Sequence, residues 1–354
     1  MSLRRITAAQ AMSTLGEFSA VIDARSESEF AEDRLPGAVN WPTLLDAERH
    51  RVGLLYAQSP FQARKEGAVL AARNIAMHLE RHGAELPRQW RPLVYCWRGG
   101  QRSGALATVL DAVGWQVNVV EGGYREFRRH VLAALETAGA GLQFVVLCGP
   151  TGSGKSRLLQ ALQQAGEQVL DLEALACHRG SVLGALPDQP QPAQKGFDTL
   201  LWQALSRLDS GRRVFVESES RTVGRLRLPQ ALWQRMRESA CVRVDTALPL
   251  RVALLIEDYG HLVNDPELLC ERLHGLRQLR GAATVARWQA LARGADMQTL
   301  VQELLLQHYD PLYERSMQSH YPQLAGAPVC TLGDLSPAGL LQAAREAVLA
   351  QHPG

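Results

Sequence analysis

Lysine is scarce in this chain: Lys65, Lys155 and Lys195 are the only three in 354 residues, so basic charge rests on arginine. A lysine falling inside a phosphate-binding motif is then less easily an accident of a lysine-rich surface. Cysteines are few and scattered, at positions 96, 148, 177, 241, 270 and 330, without a CxxC pair. That pattern argues against a zinc cluster and against a disulfide framework. Long apolar runs are absent, which excludes a membrane-spanning helix of the usual length, and the first residues lack the apolar core of a signal peptide. The expectation is a cytoplasmic protein with reduced thiols, no zinc and no membrane partner. Net charge is also nearly absent, with 38 Lys+Arg against 36 Asp+Glu, so bulk composition gives no nucleic-acid footprint. Hydrophobic residues at 46% and charged residues at 21% exclude disorder as the main state.

The length predicts two domains. Apolar runs at Ala20–Ile22, Leu93–Tyr95 and Val117–Val120 alternate with helical periodicity at Ala68–Arg81 and Ser103–Val113, the pattern of a parallel sheet covered by helices. The small, flexible stretch Ala138–Gly141 precedes a new buried strand at Phe144–Leu147, giving expected domains at 5–138 and 142–350. The second continues with a helix over Lys155–Ala165 and strands at Val169–Leu172 and Arg213–Val216. Beyond Pro249, three- and four-residue spacing predicts helices over Leu250–Leu262, Pro266–Arg280, Ala283–Leu291 and Gln298–Tyr309.

Two loops carry chemistry. In Val94-Tyr95-Cys96-Trp97-Arg98-Gly99-Gly100-Gln101-Arg102-Ser103 a cysteine follows a strand, and a glycine-rich turn leads into a helix. Such a turn curls backbone N–H groups around an anion and favours a thiolate, and Arg98 and Arg102 add positive charge nearby. The flanking sequence resembles the rhodanese family: Val21-Ile22-Asp23-Ala24-Arg25, Glu29-Phe30 and Leu35-Pro36-Gly37-Ala38-Val39-Asn40 match its opening signature, and Val120-Glu121-Gly122-Gly123-Tyr124 its closing one. The resemblance implies that Cys96 carries sulfur or selenium. Five residues separate Cys96 from Arg102, one more than in ordinary single-domain rhodaneses, a spacing shared with phosphatase relatives and suited to a tetrahedral phosphorus centre.

The second loop, Gly149-Pro150-Thr151-Gly152-Ser153-Gly154-Lys155-Ser156, satisfies G-x-x-x-x-G-K-[ST] between a strand and a helix. Its amides, with Gly149, Thr151, Gly152, Ser153 and Gly154 in the turn, can close around phosphates; Lys155 can meet terminal oxygens and the Ser156 hydroxyl can ligate Mg²⁺. Nucleotide and pyrophosphate satisfy such a loop alike. Glu217, ending the strand Val214–Val216, is the candidate for a Mg²⁺-linked carboxylate. Asp171-Leu172-Glu173 with His178-Arg179-Gly180-Ser181 reads equally as a substrate contact or a capped helix.

The near-neutral total conceals two basic blocks. Arg221–Arg243 holds six arginines and one acid, and Cys270–Arg293 five arginines and one acid. Arg221, Arg225, Arg227, Arg277 and Arg280 are the candidates for RNA phosphate contact, with aromatics too few to indicate base stacking.

A rhodanese domain followed by a phosphate-loop domain resembles bacterial tRNA 2-selenouridine synthases. The residues that carry this include the GGQRS ending of the cysteine loop, Glu121-Gly122-Gly123-Tyr124, the phosphate loop, Asp171-Leu172-Glu173, Glu217-Ser218-Glu219-Ser220-Arg221 and Tyr309-Asp310-Pro311-Leu312-Tyr313. The resemblance implies an α/β protein with an N-terminal rhodanese-like parallel sheet and a P-loop domain with a largely helical C-terminal part. It implies action on 2-thiouridine at wobble position 34 of the tRNAs for lysine, glutamate and glutamine: geranylation by geranyl diphosphate, then replacement of the geranylthio group by selenium from selenophosphate. In that reading Cys96 becomes S-selanylcysteine, and the loop Arg98, Gly99, Gly100, Gln101, Arg102 and Ser103 binds selenophosphate. A selenophosphate-supplying enzyme is then an expected partner. The same two loops also fit a rhodanese-type sulfurtransferase or phosphatase fused to a P-loop kinase, and the arginine blocks alone an inert RNA-binding protein.

Overall fold

The computed structural model describes residues 3–349, and the chain divides into two compact units. One runs to Glu136 and takes in Pro192–Gln203; the other comprises Thr137–Gln191 and the chain from Ala204 onward. The segment 192–203 lies within the range expected for the second domain, yet it packs in the first unit, where Arg128 pairs with Asp198 and the Thr199 hydroxyl donates to Asp33 at 3.1 Å. The expected outer limit, residue 350, lies outside the described residues.

In the first unit five parallel strands, β1 (Arg4–Ile6), β2 (Ala20–Asp23), β3 (Ala38–Asn40), β4 (Pro92–Tyr95) and β5 (Asn118–Val120), form a sheet in the order β1-β5-β4-β2-β3. Strand β4 is central and buried along its whole length, as an apolar strand covered on both faces must be. Ile22, Val94 and Val119 pack with Leu106, Leu110 and a cluster of Trp41, Trp90 and Trp115. The helix Gln101–Val113 starts where β4 has delivered Cys96, at the carboxyl end of the sheet.

The second unit repeats this logic. Strands β6 (Gln143–Cys148), β7 (Gln168–Leu170), β8 (Arg213–Glu217), β11 (Ala240–Asp245) and β12 (Val329–Thr331) are parallel in the order β12-β11-β6-β8-β7, while β9 (Thr222–Val223) and β10 (Leu226–Arg227) form a small antiparallel ribbon. The central β6 ends at the phosphate loop, which feeds the helix Lys155–Gln164. From Leu248 the chain is mainly helical, as predicted. The Asp265 and Asp296 carboxylates cap the helices Pro266–His274 and Met297–Leu304 by accepting from N–H groups three residues on. The expected helix over Pro266–Arg280 breaks at Gly275 and resumes as Arg277–Arg280, while Met297–Leu304 passes through a π-helical turn, Leu305–Tyr309, into the helix Asp310–His320. Among the described residues no helix is long and apolar enough to cross a membrane.

Candidate active sites

The cysteine loop is held from below by the closing signature. Tyr124 N–H donates to Cys96 O at 2.8 Å and Arg125 N–H to Trp97 O at 3.0 Å, and the Trp97 and Tyr124 rings stack. Contact is so close that a Cβ on Gly123 (φ +60°) would lie 2.1 Å from Cys96 O. Glycine there is a steric requirement. Cys96 is buried, and the Ser103 hydroxyl donates to its Sγ at 3.1 Å, placing a donor on the sulfur where an anionic chalcogen would need one.

The opening signature supplies the floor of this unit. Arg25, fully buried, grips Asp23 through Nε and Nη2, the latter at 2.7 Å, donates to Asp33 O, and lies over the Tyr124 ring at 3.9 Å. Tyr95 donates to Asp23 and Tyr124 to Asp33, so this buried charge is met by partners on every side.

Of the two loop arginines, Arg98 is exposed, whereas Arg102 is engaged by Glu29 through two hydrogen bonds, the shorter at 2.6 Å. Burial pushes the Glu29 carboxyl up, but hydrogen bonding and charge from Arg102, with Arg49 beside it, outweigh this and hold it below its ordinary value. Glu29 belongs to the opening signature, and nothing local in sequence marks it as the partner of Arg102. Gln101 and Arg102 also border a cavity of ≈ 400 Å³ beneath the helices Asp46–Gln58 and Pro60–His82.

In the second unit, a Cβ on Gly149 would lie 2.5 Å from Ser153 Oγ, and Gly152 and Gly154 have positive φ with Leu255 and Leu332 packed against them. Lys155 turns back over the loop and donates to Gly149 O at 2.6 Å. Ser156 donates to Glu173 Oε2 at 2.9 Å, and Glu173 N–H donates in turn to Glu217 Oε1 at 2.8 Å. The carboxylate brought to Ser156 is therefore Glu173, with Glu217 behind it. Asp171 caps the helix Leu172–Ala176 through Ala174 N–H, so the cap account of this segment holds for Asp171, while Glu173 faces the loop.

Glu217 is buried, and its Oε2 has no hydrogen-bond partner. Burial, then the charges of Asp171 and Glu173, push its carboxyl well up; burial and Glu173 push Glu219 up to about 8 against the opposing pull of Lys155. Lys155, Ser156, Glu173, Arg179 and Glu219 line a cavity of ≈ 330 Å³ over the phosphate loop. Sequence reasoning missed the brace beneath it. Buried Arg251 donates to Thr151 O at 2.8 and 3.0 Å and makes a two-point pair with Asp310, the shorter contact 2.6 Å. Asp310 follows directly on the π-helical turn, where a local widening re-aims side chains.

The RNA candidates separate into groups. Arg221, Arg225 and Arg227 are exposed on and around the β9–β10 ribbon, Arg225 donating from its guanidinium to Gln191 O, and Arg277 is exposed on its short helix. Arg280 is committed to His308, donating to its Nδ1 at 2.9 Å and to its carbonyl at 3.1 Å. Arg287 and Arg293 in the same block pair with Glu303 and Glu267.

Two family models match the chain, the rhodanese-like domain over residues 7–130 and the tRNA 2-selenouridine synthase AAA domain over residues 142–279. Curated relatives bearing the name tRNA 2-selenouridine synthase include one from Bordetella bronchiseptica, 35% identical over 84% of this chain and 88% of the relative, and one from Chromohalobacter salexigens, 32% identical over 86% and 90%. The chain belongs to the tRNA 2-selenouridine synthase family. Against the member from Nitrosomonas europaea, 36% identical, the match spans 68% of this chain and 63% of that relative. The two family models fall on the two loops, so the α/β organisation expected from the family, a rhodanese-like sheet and a P-loop domain with a helical C-terminal part, is the observed one.

Proposed function

We propose that this protein converts 2-thiouridine at wobble position 34 of the tRNAs for lysine, glutamate and glutamine to 2-selenouridine in two steps. In the first, the 2-thio sulfur attacks C1 of geranyl diphosphate. The S–C bond forms as the C–O bond breaks, diphosphate leaves with the electron pair, and the base loses its N3 proton. Alkylation makes sulfur a good leaving group, and in the second step selenium from selenophosphate takes its place at C2 as geranylthiolate departs. The observation that carries this reading is the presence, in one chain of this family, of a buried cysteine cradled by a glycine loop and a phosphate loop under a cavity of ≈ 330 Å³.

In this reading Cys96 carries the selenium as S-selanylcysteine: its thiolate attacks selenium as the Se–P bond breaks and phosphite leaves with the electron pair, and once the outer selenium has displaced geranylthiolate at C2 a thiol reductant cleaves the S–Se bond and frees Cys96. Ser103 supports the chalcogen, and Arg98 with the loop amides receives selenophosphate, Arg102 joining when it releases Glu29. The phosphate loop holds the diphosphate of the prenyl donor. Mg²⁺ suits the site, because the carboxylates of Glu173, Glu217 and Glu219 gather around Lys155 and Glu217 keeps an unpartnered buried oxygen. Ser156 and Glu173, with Glu217 behind, would hold the ion, which would offset diphosphate charge. Arg221, Arg225, Arg227 and Arg277 meet tRNA phosphates. The test incubates purified protein with 2-thiouridine tRNA, geranyl diphosphate and selenophosphate, and reads nucleoside masses. The masses of S-geranyl-2-thiouridine and then 2-selenouridine are expected; turnover of thiosulfate or an aryl phosphate with no change in the tRNA would favour the sulfurtransferase or phosphatase account.

A further inference from the structure

A second cavity adjoins the one over the phosphate loop. Thr151, Ser181, Leu255, Tyr259 and Tyr309 line both, and past them the second cavity is walled by aliphatic side chains of the C-terminal helices, Leu262, Leu269, Met297, Leu300, Val301 and Leu304 among them. At ≈ 50 Å³ it is a narrow slot. At its mouth Ser181 and Tyr259 hydrogen-bond to each other at 3.2 Å, so these polar groups are satisfied where they stand.

We propose that this slot receives the tail of the prenyl diphosphate whose head lies on the phosphate loop. The inference rests on the reading that the loop binds a prenyl donor, and adds where the hydrocarbon goes. A cradle for polyanions that shares its wall with an aliphatic slot matches an amphiphile with a diphosphate at one end and a hydrocarbon at the other. A nucleobase matches it poorly, because its ring N–H and carbonyl groups would be buried there without partners. The slot is too small for a whole ten-carbon chain, so it takes the distal isoprene unit while the proximal unit crosses the shared wall. That places the proximal unit against Thr151, Leu255, Tyr259 and Tyr309 on the shared wall, with the Arg179 guanidinium over the Tyr259 ring on the phosphate-loop side, where it can meet the diphosphate. The slot thus sets chain length: the distal unit of a ten-carbon chain fills it, and the third unit of a fifteen-carbon chain exceeds it.

Calorimetric titration of the full-length protein, in Mg²⁺, with inorganic pyrophosphate and with dimethylallyl, geranyl and farnesyl diphosphates tests this. Geranyl diphosphate is expected to bind roughly 30-fold more tightly than dimethylallyl diphosphate, as burial of one further isoprene unit requires, and farnesyl diphosphate more weakly than geranyl. Val301→Phe, which fills the slot without touching the phosphate loop, should bring geranyl affinity down to that of dimethylallyl and leave pyrophosphate binding intact. Leu300→Ala should admit farnesyl diphosphate. If both variants keep the wild-type chain-length order while the wild type still geranylates 2-thiouridine tRNA, the tail lies elsewhere and this inference fails alone. If the wild type binds pyrophosphate but gains nothing from any prenyl chain, and leaves the tRNA unalkylated, the prenyl-donor reading fails with it.

Discussion

Arg251 and Glu219 show how single side chains set the phosphate-loop site. Arg251 spends its guanidinium on the Thr151 carbonyl and the Asp310 carboxylate. Replacement by leucine strands that carboxylate in a mostly buried position, and should cost about 3 kcal/mol in urea denaturation while weakening pyrophosphate binding roughly tenfold through loss of loop order. Unchanged pyrophosphate affinity would show that Arg251 does not hold the loop. Glu219 makes a different demand. Its carboxyl, pushed up to about 8, binds a proton in the folded protein that it releases near its ordinary value when unfolded. Between those two values the folded state binds more protons, so stability falls as pH rises toward 8. Asp171, Glu173 and Glu217 are displaced in the same direction. Thermal melts should therefore show a Tm that falls from pH 5 to pH 8, less steeply in Glu219→Gln; equal slopes would contradict the assignment.

The two loops are elements whose backbone shape is set by contacts from another segment. Gly123→Ala would drive a Cβ into Cys96 O and should cost about 2 kcal/mol or more, whereas an added Cβ at Gly100 meets nothing within 4 Å and Gly100→Ala should be mild. Comparable urea midpoints for the two variants would remove the argument for the Gly123 contact. The phosphate loop was legible in sequence because strand, glycine turn, lysine and helix lie within one short segment; Cys96 was legible for the same reason. Less local features were not. Strands β3 and β12 are three residues each, too short to show a period, and the helix Asp46–Gln58 buries none of its side chains, so it has no apolar stripe to read. Strand β11 begins within the arginine-rich stretch Arg221–Arg243 and runs past it to Asp245, and Arg243 interrupts its apolar residues. The Glu29–Arg102 pair and the Arg251–Asp310 brace join segments far apart in the chain, which only the fold brings together.

Across the full chain, loop order is visible in sequence while the destination of each charge is not. The near-zero net charge does hide a basic ribbon at Arg221, Arg225 and Arg227, but the block between Cys270 and Arg293 is largely spent internally, on His308, Glu303 and Glu267. Arginine that caps a buried histidine or pairs with a neighbouring acid looks the same in sequence as arginine facing RNA. The order of the two loops, by contrast, pointed to a family that the relatives bear out. We propose that the loops divide the work: the phosphate loop holds the alkylating donor and the cysteine loop delivers selenium. Nucleoside masses from a staged assay with Lys155→Ala and Cys96→Ser test this division of work. Lys155→Ala should leave 2-thiouridine tRNA unalkylated yet convert supplied S-geranyl-2-thiouridine tRNA to 2-selenouridine, and Cys96→Ser should geranylate the first and fail on the second. Selenation by Cys96→Ser at the wild-type rate, or loss of only the selenation step in Lys155→Ala, would show that the loops do not divide the work in this way.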